Sequence, residues 1–417
     1  MAGEPSPAVE RWGVLELELP GPARDVVFSS EDGRCFASSS FPDGRGRHLL
    51  RFMPDAEGEW TYEGPRGVAG SFVCGAAGEG NHGPVRLDGG GSGAGGLGVG
   101  GLDAEGLDFR YADGTPYRPY GTTVGEVDEA TVAALASTPF NRVRLRAPEG
   151  EGLEAFEQRL AELRDLGIEA EVRLTRGHDI PSVVSRLAAY RNVWWCAPEG
   201  AERDPDVLAE IREHDYGHHL LTVHGGAKTD FGAPWITHAS VQHDEVRAVG
   251  VLTDQLCKPI LIDACGAEGD APTPEESLPA REMVARIWEG VCQGGHVTHA
   301  ESYGPRPWSA CGGRPTGESV PRLAFLREIL DATPPRPRHN PAYYDASTIE
   351  VPGAYLLQYL GPHRYPSRRF TLPGGPYEVD VIDTWNMKVR RLPGAWTGDF
   401  EVPLPAEQYM AIRISRA

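Results

Sequence analysis

A short apolar run between a proline and a glycine, Lys258-Pro259-Ile260-Leu261-Ile262-Asp263-Ala264-Cys265-Gly266, constrains the fold more than any other stretch of the chain. Such runs are typical of parallel strands that are buried on both faces. Residues 192–199, 220–224 and 296–303 form similar runs, and each run ends in polar residues. Helical patterns separate most of these runs. We therefore predict a (β/α)8 TIM barrel, which carries its functional residues at the carboxyl ends of its strands.

The segments on both sides of the barrel pattern are β-rich. In residues 1–88, an alternating apolar run and short strands between turn residues indicate a small β-sandwich. Residues 334–417 contain further alternating strands and predict a second sandwich, while the glycine-rich residues 89–106 predict a flexible linker. The expected fold class is therefore α/β, with a TIM barrel over residues 107–333 flanked by two small all-β sandwich domains.

Composition limits the partners that we expect. The 417 residues carry a formal net charge of -20, which argues against nucleic acid and anionic membranes. No apolar run is long enough to span a bilayer, and no signal-peptide pattern opens the chain, so we expect a cytoplasmic location. The seven cysteines include no CxxC pair, so we expect no metal site. We expect no cofactor, and a small-molecule substrate or a carbohydrate as the partner.

Five short motifs occur along the chain in a recognisable order. They are Gly58-Glu59-Trp60-Thr61-Tyr62, Gly80-Asn81-His82-Gly83-Pro84-Val85, the stretch from Leu187-Ala188-Ala189-Tyr190 to Trp195, Gly317-Glu318-Ser319, and Val381-Ile382-Asp383-Thr384-Trp385-Asn386-Met387. In this order the motifs resemble those of bacterial glycosidase-like proteins with three parts. Those parts are an amino-terminal β-sandwich, an apiosidase-like (β/α)8 barrel and a carboxy-terminal β-sandwich. The resemblance covers the whole chain.

The chain departs from that family's pattern at the two positions that the resemblance marks as catalytic. Members usually carry a nucleophilic Glu at the end of strand seven, where this chain has Ala264. They also carry an acid/base Glu preceded by Asn at the end of strand four, where this chain has Pro198 and Glu199. Retaining hydrolysis needs two carboxyl groups about 5–5.5 Å apart, and alanine supplies none. Loops 147–152 and 175–180, which correspond to sugar-binding loops of the family, are also much shorter.

Candidate functional residues follow from the predicted strand ends. We predict Glu199 and Glu301 as catalytic residues, with Glu301 on strand eight and Glu268 as an alternative to it. Side-chain alternation sends Asp263 to the opposite face of strand seven from Ala264. The residues predicted to line the ligand site are Arg146, His178, His224, His243, Ala264, Tyr303 and Trp308.

Several of these residues also have a structural interpretation. Arg146 can form a salt bridge with a loop carboxylate. His178 and His243, each followed by Asp, can cap helices. His224 can be part of the hydrogen-bonded core.

Three functions remain open from the sequence. The first is a repurposed barrel that transforms a small molecule in a biosynthetic pathway without hydrolysis, by cyclisation, cycloaddition or isomerisation. The second is a residual glycoside hydrolase that uses Glu199 with Glu301 or Glu268, as an inverting pair about 6.5–9.5 Å apart. The third is a non-catalytic carbohydrate-binding pseudoenzyme. The missing strand-seven carboxylate favours the first.

Overall fold

The computed structural model describes residues 8–88, 107–226 and 228–417. The predicted linker, residues 89–106, lies outside the described residues. Contacts divide the chain into two compact units. The first unit comprises Met1–Arg118, Arg142–His224 and Lys228–His238, and the second comprises Pro119–Asn141, Gly225–Ala227 and Ala239–Ala417. No described helix combines the length and the apolar character that are needed to cross a membrane.

The amino-terminal part of the first unit is a β-sandwich. Its strands are β1 (Ala8–Glu10), β2 (Leu15–Leu19), β3 (Val26–Ser30), β4 (Cys35–Ser38), β5 (Phe41–Pro42), β6 (His48–Phe52), β7 (Gly58–Glu63) and β8 (Ala69–Gly75). They form one sheet in the order β1-β8-β7-β3-β4 and another in the order β2-β6-β5. Alternation buries Leu15 and Leu19 of β2 against an aromatic core, in which the rings of Phe28 and Phe52 stack 4.0 Å apart.

A three-stranded antiparallel sheet follows the sandwich. It consists of β9 (Val85–Leu87), β10 (Phe109–Tyr111) and β11 (Pro116–Tyr117). The rings of Phe109 and Tyr117 lie 5.3 and 5.9 Å from that of Trp194, which is fully buried. Trp194 therefore belongs to the aromatic core of the first unit.

The central sheet is parallel and confirms the predicted (β/α)8 class. The strands of this region are β12 (Gly121–Thr123), β13 (Arg142–Arg146), β14 (Glu169–Arg173), β15 (Val193–Ala197), β16 (Leu221–Gly225), β17 (Ala239–Gln242), β18 (Ile260–Ala264), β19 (Glu268–Gly269), β20 (His296–Val297) and β21 (Glu301–Ser302). Eight of them follow the order β12-β13-β14-β15-β16-β17-β18-β20, and a bridge between Thr122 and His299 returns this order to its start. The predicted extent of strand eight is wrong, because β21 pairs with β19 and with no other strand that the structure describes.

The helices alternate with these strands. They are α1 (Glu129–Leu135), α2 (Leu153–Asp165), α3 (Ile180–Leu187), α4 (Pro205–His214), α5 (Ala248–Leu256), α6 (Ala280–Cys292), α7 (Trp308–Cys311) and α8 (Ser319–Asp331). Helix α1 begins where the carboxylate of Asp128 accepts a hydrogen bond from the Thr131 amide at 2.8 Å. Helix α2 buries Phe156, Leu160 and Leu163, as its apolar spacing predicts.

The carboxy-terminal strands form a single seven-stranded sheet. They are β22 (Arg338–His339), β23 (Ser347–Val351), β24 (Tyr355–Tyr359), β25 (Ser367–Asp383), β26 (Lys388–Arg391), β27 (Trp396–Pro403) and β28 (Met410–Arg416). The long strand β25 pairs with β27 in its first part and with β26 and β28 in its last part, with a register shift between Leu372 and Tyr377. One apolar cluster, which includes Phe370, Val379 and Ile412, fills the core that the sheet encloses.

Glu169 on β14 makes stability depend on pH. Its carboxyl group is buried, accepts a hydrogen bond from Trp194 Nε1 at 2.9 Å, and has its pKa raised by burial from 4.5 to about 8. The folded state therefore keeps a proton that the unfolded state loses, so Glu169 should lower stability progressively as the pH rises from 4.5 to 8. We expect Glu169→Gln to flatten this dependence and to raise the melting temperature at pH 8.

Thermal unfolding at pH 5 and pH 8 measures the effect of Glu169. The matched control is Glu213→Gln, which removes an exposed carboxyl group at the end of α4. Glu213→Gln should follow the wild-type pH dependence. If Glu169→Gln also follows it, Glu169 does not titrate in this range.

Candidate functional site

The end of β18, where the family resemblance places a nucleophile, contains a β-bulge. Val241 of β17 pairs with Ile262, but the next residue, Gln242, pairs with Ala264, so Asp263 is the extra residue. Neighbouring residues on β17 point to opposite faces, and therefore Ala264 lies on the face opposite Ile262. Asp263 is next to Ile262 in the strand, so its side chain also points away from the Ile262 face. Asp263 and Ala264 therefore share one face. The predicted separation of Asp263 and Ala264 onto opposite faces is thus wrong, because the bulge interrupts the alternation.

Asp263 is a buried acceptor on the face of the sheet that points away from α6. Val297 lies against α6, because a methyl group added at Gly290 of that helix would overlap its side chain. Val297 is the register partner of Ile262, so the Ile262 face of the sheet points toward the helix. On the other face, the Asp263 carboxylate accepts hydrogen bonds from Ser240 Oγ at 2.6 Å and from Thr298 Oγ1 at 2.5 Å. Its oxygens are therefore already engaged within the second unit.

Glu301 is buried on β21, and its carboxylate binds the backbone that precedes α8. Its Oε1 atom accepts hydrogen bonds from the Thr316 amide at 2.7 Å and from Thr316 Oγ1 at 3.0 Å. Its Oε2 atom accepts one from the Gly317 amide at 2.9 Å. The predicted catalytic role of Glu301 stays a prediction, but both of its oxygens have partners.

Glu268 lies beside Glu301 in the β19–β21 pair and binds the next two amides. Its Oε1 atom accepts from the Glu318 amide at 2.7 Å, and its Oε2 atom accepts from the Ser319 amide at 3.1 Å. Amides at the start of a helix have no partner within the helix, so an anion satisfies them well. We call Glu268, Glu301 and the amides of residues 316–319 the carboxylate clasp.

Tyr303 is attached to the carboxylate clasp. Its hydroxyl donates to Glu268 Oε1 at 3.2 Å. Burial and the adjacent Glu268 carboxylate raise the pKa of Tyr303 to about 12, so the phenol stays protonated near neutral pH. The structure thus brings Tyr303 and Glu301 together through Glu268.

Trp308 and His243, two predicted ligand-site residues, have structural partners in the second unit. The buried Trp308 donates from Nε1 to Thr122 Oγ1 at 2.9 Å, and Thr122 Oγ1 lies 3.1 Å from His299 Nδ1. Burial lowers the pKa of His299 to about 3 and keeps its ring neutral. His243 Nδ1 accepts from the amide of Glu245 at 3.0 Å, within the turn before α5. The helix cap considered for His243 is therefore not formed, because Arg247 occupies the N-cap position of α5.

The first unit holds the other predicted residues. His178 joins two loops, because its Nδ1 accepts from the Thr175 amide at 2.8 Å and its Nε2 lies 3.2 Å from the Pro148 carbonyl oxygen. Glu199 is exposed in the turn after β15, and it forms no hydrogen bond or ion pair among the residues that the structure describes. His224 is partly buried on β16.

Two residues that the sequence did not single out stand beside predicted ones. Gln242 is exposed at the end of β17 and is the register partner of Ala264. Arg173 ends β14 and is the register partner of Arg146. The alternating arginines of residues 142–146 were the available signal for a charged face. Within residues 8–88, 107–226 and 228–417, no group of three or more His, Cys, Asp and Glu side chains is arranged to hold a metal ion.

Comparisons with known proteins support the fold and leave the activity open. Residues 8–64 match a domain of unknown function, DUF5060, and residues 344–415 match another, DUF5605. Among curated proteins, none matches the chain.

Several solved structures share this architecture. A putative glycoside hydrolase from Bacteroides vulgatus is 26% identical, with a TM-score of 0.86 over 98% of this chain and 100% of its own. A glycoside hydrolase family 5 protein from the same organism is 13% identical, with a TM-score of 0.61 over 75% of this chain and 92% of its own. Another glycoside hydrolase is 12% identical, with a TM-score of 0.63 over 81% of this chain and 98% of its own. The fold is therefore glycoside-hydrolase-like.

Proposed function

We propose that this chain uses a glycoside hydrolase fold to transform a small molecule without cleaving a glycosidic bond. Cyclisation, cycloaddition or isomerisation in a biosynthetic pathway suits such a site. The observation that carries the proposal is the methyl group of Ala264 at the end of β18, where the family resemblance places an attacking carboxylate. A methyl group can neither attack a sugar carbon nor donate a proton.

The acids nearest to Ala264 in sequence support the same conclusion. Asp263 is bound by two hydroxyl groups, and Glu268 and Glu301 are bound by the amides of the carboxylate clasp. A nucleophile or a general acid needs an oxygen that can reach the substrate. Each of these three carboxylates is instead held in place by hydroxyl or amide donors of the surrounding chain.

Non-hydrolytic chemistry needs fewer charged groups than glycoside hydrolysis. A shaped pocket that positions the reacting atoms supplies much of the rate, and one polarising group assists. Glu199 is our candidate for an acid/base, a role worth about 10²–10⁴-fold in rate. The Gln242 side chain, beside Ala264, is our candidate for a neutral hydrogen-bonding group.

The test measures release of nitrophenol from a panel of neutral p-nitrophenyl glycosides. We expect the wild-type protein to show no turnover above the rate without enzyme, and Glu199→Gln to behave identically. Wild-type turnover that Glu199→Gln abolishes, while the exposed control Glu213→Gln retains it, would overturn the proposal in favour of a residual hydrolase. Separately, native mass spectrometry of the purified protein would identify any small molecule that remains bound.

A variant asks whether the site still accepts a sugar. Ala264→Glu restores a carboxylate at the end of β18, beside Gln242. We expect no gain of hydrolysis with the same glycosides, because the proposed ligand is not a sugar. Hydrolysis gained by Ala264→Glu would indicate a sugar-shaped site and would contradict this proposal.

A further inference from the structure

Two arginine side chains lie next to each other at the carboxyl ends of β13 and β14. Arg146 and Arg173 are register partners in the parallel ladder, so their side chains leave the same face of the sheet. Arg146 is exposed and Arg173 is partly buried. That face also carries Glu171, two residues before Arg173 on β14.

The arginines deeper on this face pair directly with Glu171, whereas the two at the strand ends do not. Arg144 donates from Nε to Glu171 Oε1 at 2.8 Å, and Arg142 pairs with the other oxygen of Glu171. Among the described residues, the side chains of Arg146 and Arg173 form no hydrogen bond and no ion pair. The salt bridge to a loop carboxylate that we considered for Arg146 is therefore not formed there.

In the part of the chain that the structure describes, Arg146 and Arg173 have no acidic partner, although the chain is rich in carboxylates. The sequence contains 60 acidic residues and only 40 basic ones, so potential partners are abundant. The carboxylate of Glu149, on the loop after β13, instead accepts a hydrogen bond from Thr175 Oγ1 at 2.6 Å. Like charges opposite each other on neighbouring strands destabilise a sheet. Burial, and then the charges of Arg144 and Arg146, lower the pKa of Arg173.

We infer that Arg146 and Arg173 bind an oxyanion group, a carboxylate or a phosphate, on the small molecule that this protein recognises. Two neighbouring guanidinium groups present several N–H donors in planar forks, which match the oxygens of such a group. The bound anion would also remove the repulsion between the two charges. The inference adds an anionic substrate class to the proposed function. That the bound ligand is the substrate rests on the proposed function.

The test compares the melting temperature of the full chain in inorganic phosphate and in chloride at matched ionic strength, and repeats the comparison with acetate. We expect either anion to stabilise the wild-type protein. Titration calorimetry should show at least a tenfold weaker dissociation constant for Arg146→Gln and for Arg173→Gln. Arg24→Gln removes an exposed arginine of the sandwich that forms no ion pair among the described residues, and should bind like wild type.

Three further outcomes of this test support or overturn the anion site. Binding of phosphate alone, or of acetate alone, supports the inference and identifies the anion. If neither anion binds, or if both variants bind as tightly as Arg24→Gln, the inference is overturned. In chloride, Arg173→Gln should melt no lower than wild type, because it loses no partner and relieves a repulsion, so lost binding cannot be attributed to unfolding.

Failure of this inference differs from failure of the proposed function. Turnover of neutral aryl glycosides would overturn the proposed function and would leave the anion site intact. Loss of anion binding without any glycoside turnover would overturn only the anion site.

Discussion

Replacing Glu301 with glutamine is expected to destabilise the second unit by about 3 kcal/mol. The glutamine NH2 group would face the amide of Gly317 or Thr316, so one charge-assisted hydrogen bond is lost and two donors confront each other. Glu268→Gln should have a similar effect at Glu318 and Ser319. Thermal unfolding measures the loss, and hydrogen exchange of the amides of residues 316–319 should become faster.

The carboxylate clasp offers a control within the same segment. The Glu318 side chain is exposed, although its amide is held by Glu268, so Glu318→Gln removes an equal charge and should change stability by no more than about 0.5 kcal/mol. A catalytic Glu301 would give the opposite pattern, in which Glu301→Gln abolishes turnover of the true substrate while stability stays at the wild-type value. That pattern would rule out a structural role.

Apolar runs carried most of the information about the fold. Five fully or mostly buried residues in β15, and four in β18, make these strands recognisable because both faces avoid water. A different pattern, the alternation of apolar and charged residues, predicted β2 in the sandwich. The bulge in β18 was not predictable, because the sequence gives no sign that Asp263 is an extra residue between two pairing positions.

Contacts between distant residues explain why the candidate site was harder to predict. His178 and His243 bind locally, to the amides of Thr175 and Glu245, but neither caps a helix as considered from the sequence. Asp179 and Arg247 occupy the N-cap positions of α3 and α5 instead. Glu268 instead reaches Ser319, 51 residues along the chain. No periodic pattern connects such positions, because a long-range tertiary contact, and not a regular helix or strand, brings them together. For this reason the sequence analysis predicted Glu301 on strand eight, whereas the structure has it on β21, paired with β19.

The second large effect concerns a buried ion cluster in the first unit. Glu157 of α2 accepts hydrogen bonds from Arg186 Nε at 2.7 Å and from the Tyr190 hydroxyl at 2.9 Å, and it also pairs with Arg51 of β6. The guanidinium groups of Arg51 and Arg186 lie 5.0 and 5.2 Å from the centre of the Phe41 ring. The cluster therefore joins the amino-terminal sandwich to α2 and α3.

We expect Glu157→Ala to cost about 3–5 kcal/mol, because it leaves Arg51 and Arg186 buried without their shared carboxylate. Glu154, three residues earlier on the same helix, pairs with Arg45 on the surface, where both side chains are 64% exposed. Glu154→Ala should therefore cost no more than about 1 kcal/mol. Urea unfolding of both variants measures the difference, and equal losses would contradict the assignment of the stability to burial.

A double substitution separates attraction within the cluster from the penalty of an orphaned charge. Glu157→Met combined with Arg186→Met removes one charge of each sign, while the remaining Arg51 keeps Glu16 at 2.8 Å. Buried ion pairs replaced by apolar groups often lose little stability. We therefore expect the double variant to be more stable than Glu157→Met alone. If it is instead less stable, Arg186 stabilises the fold even without Glu157, through contacts such as that with the Phe41 ring, and the penalty of the orphaned charge is the smaller effect.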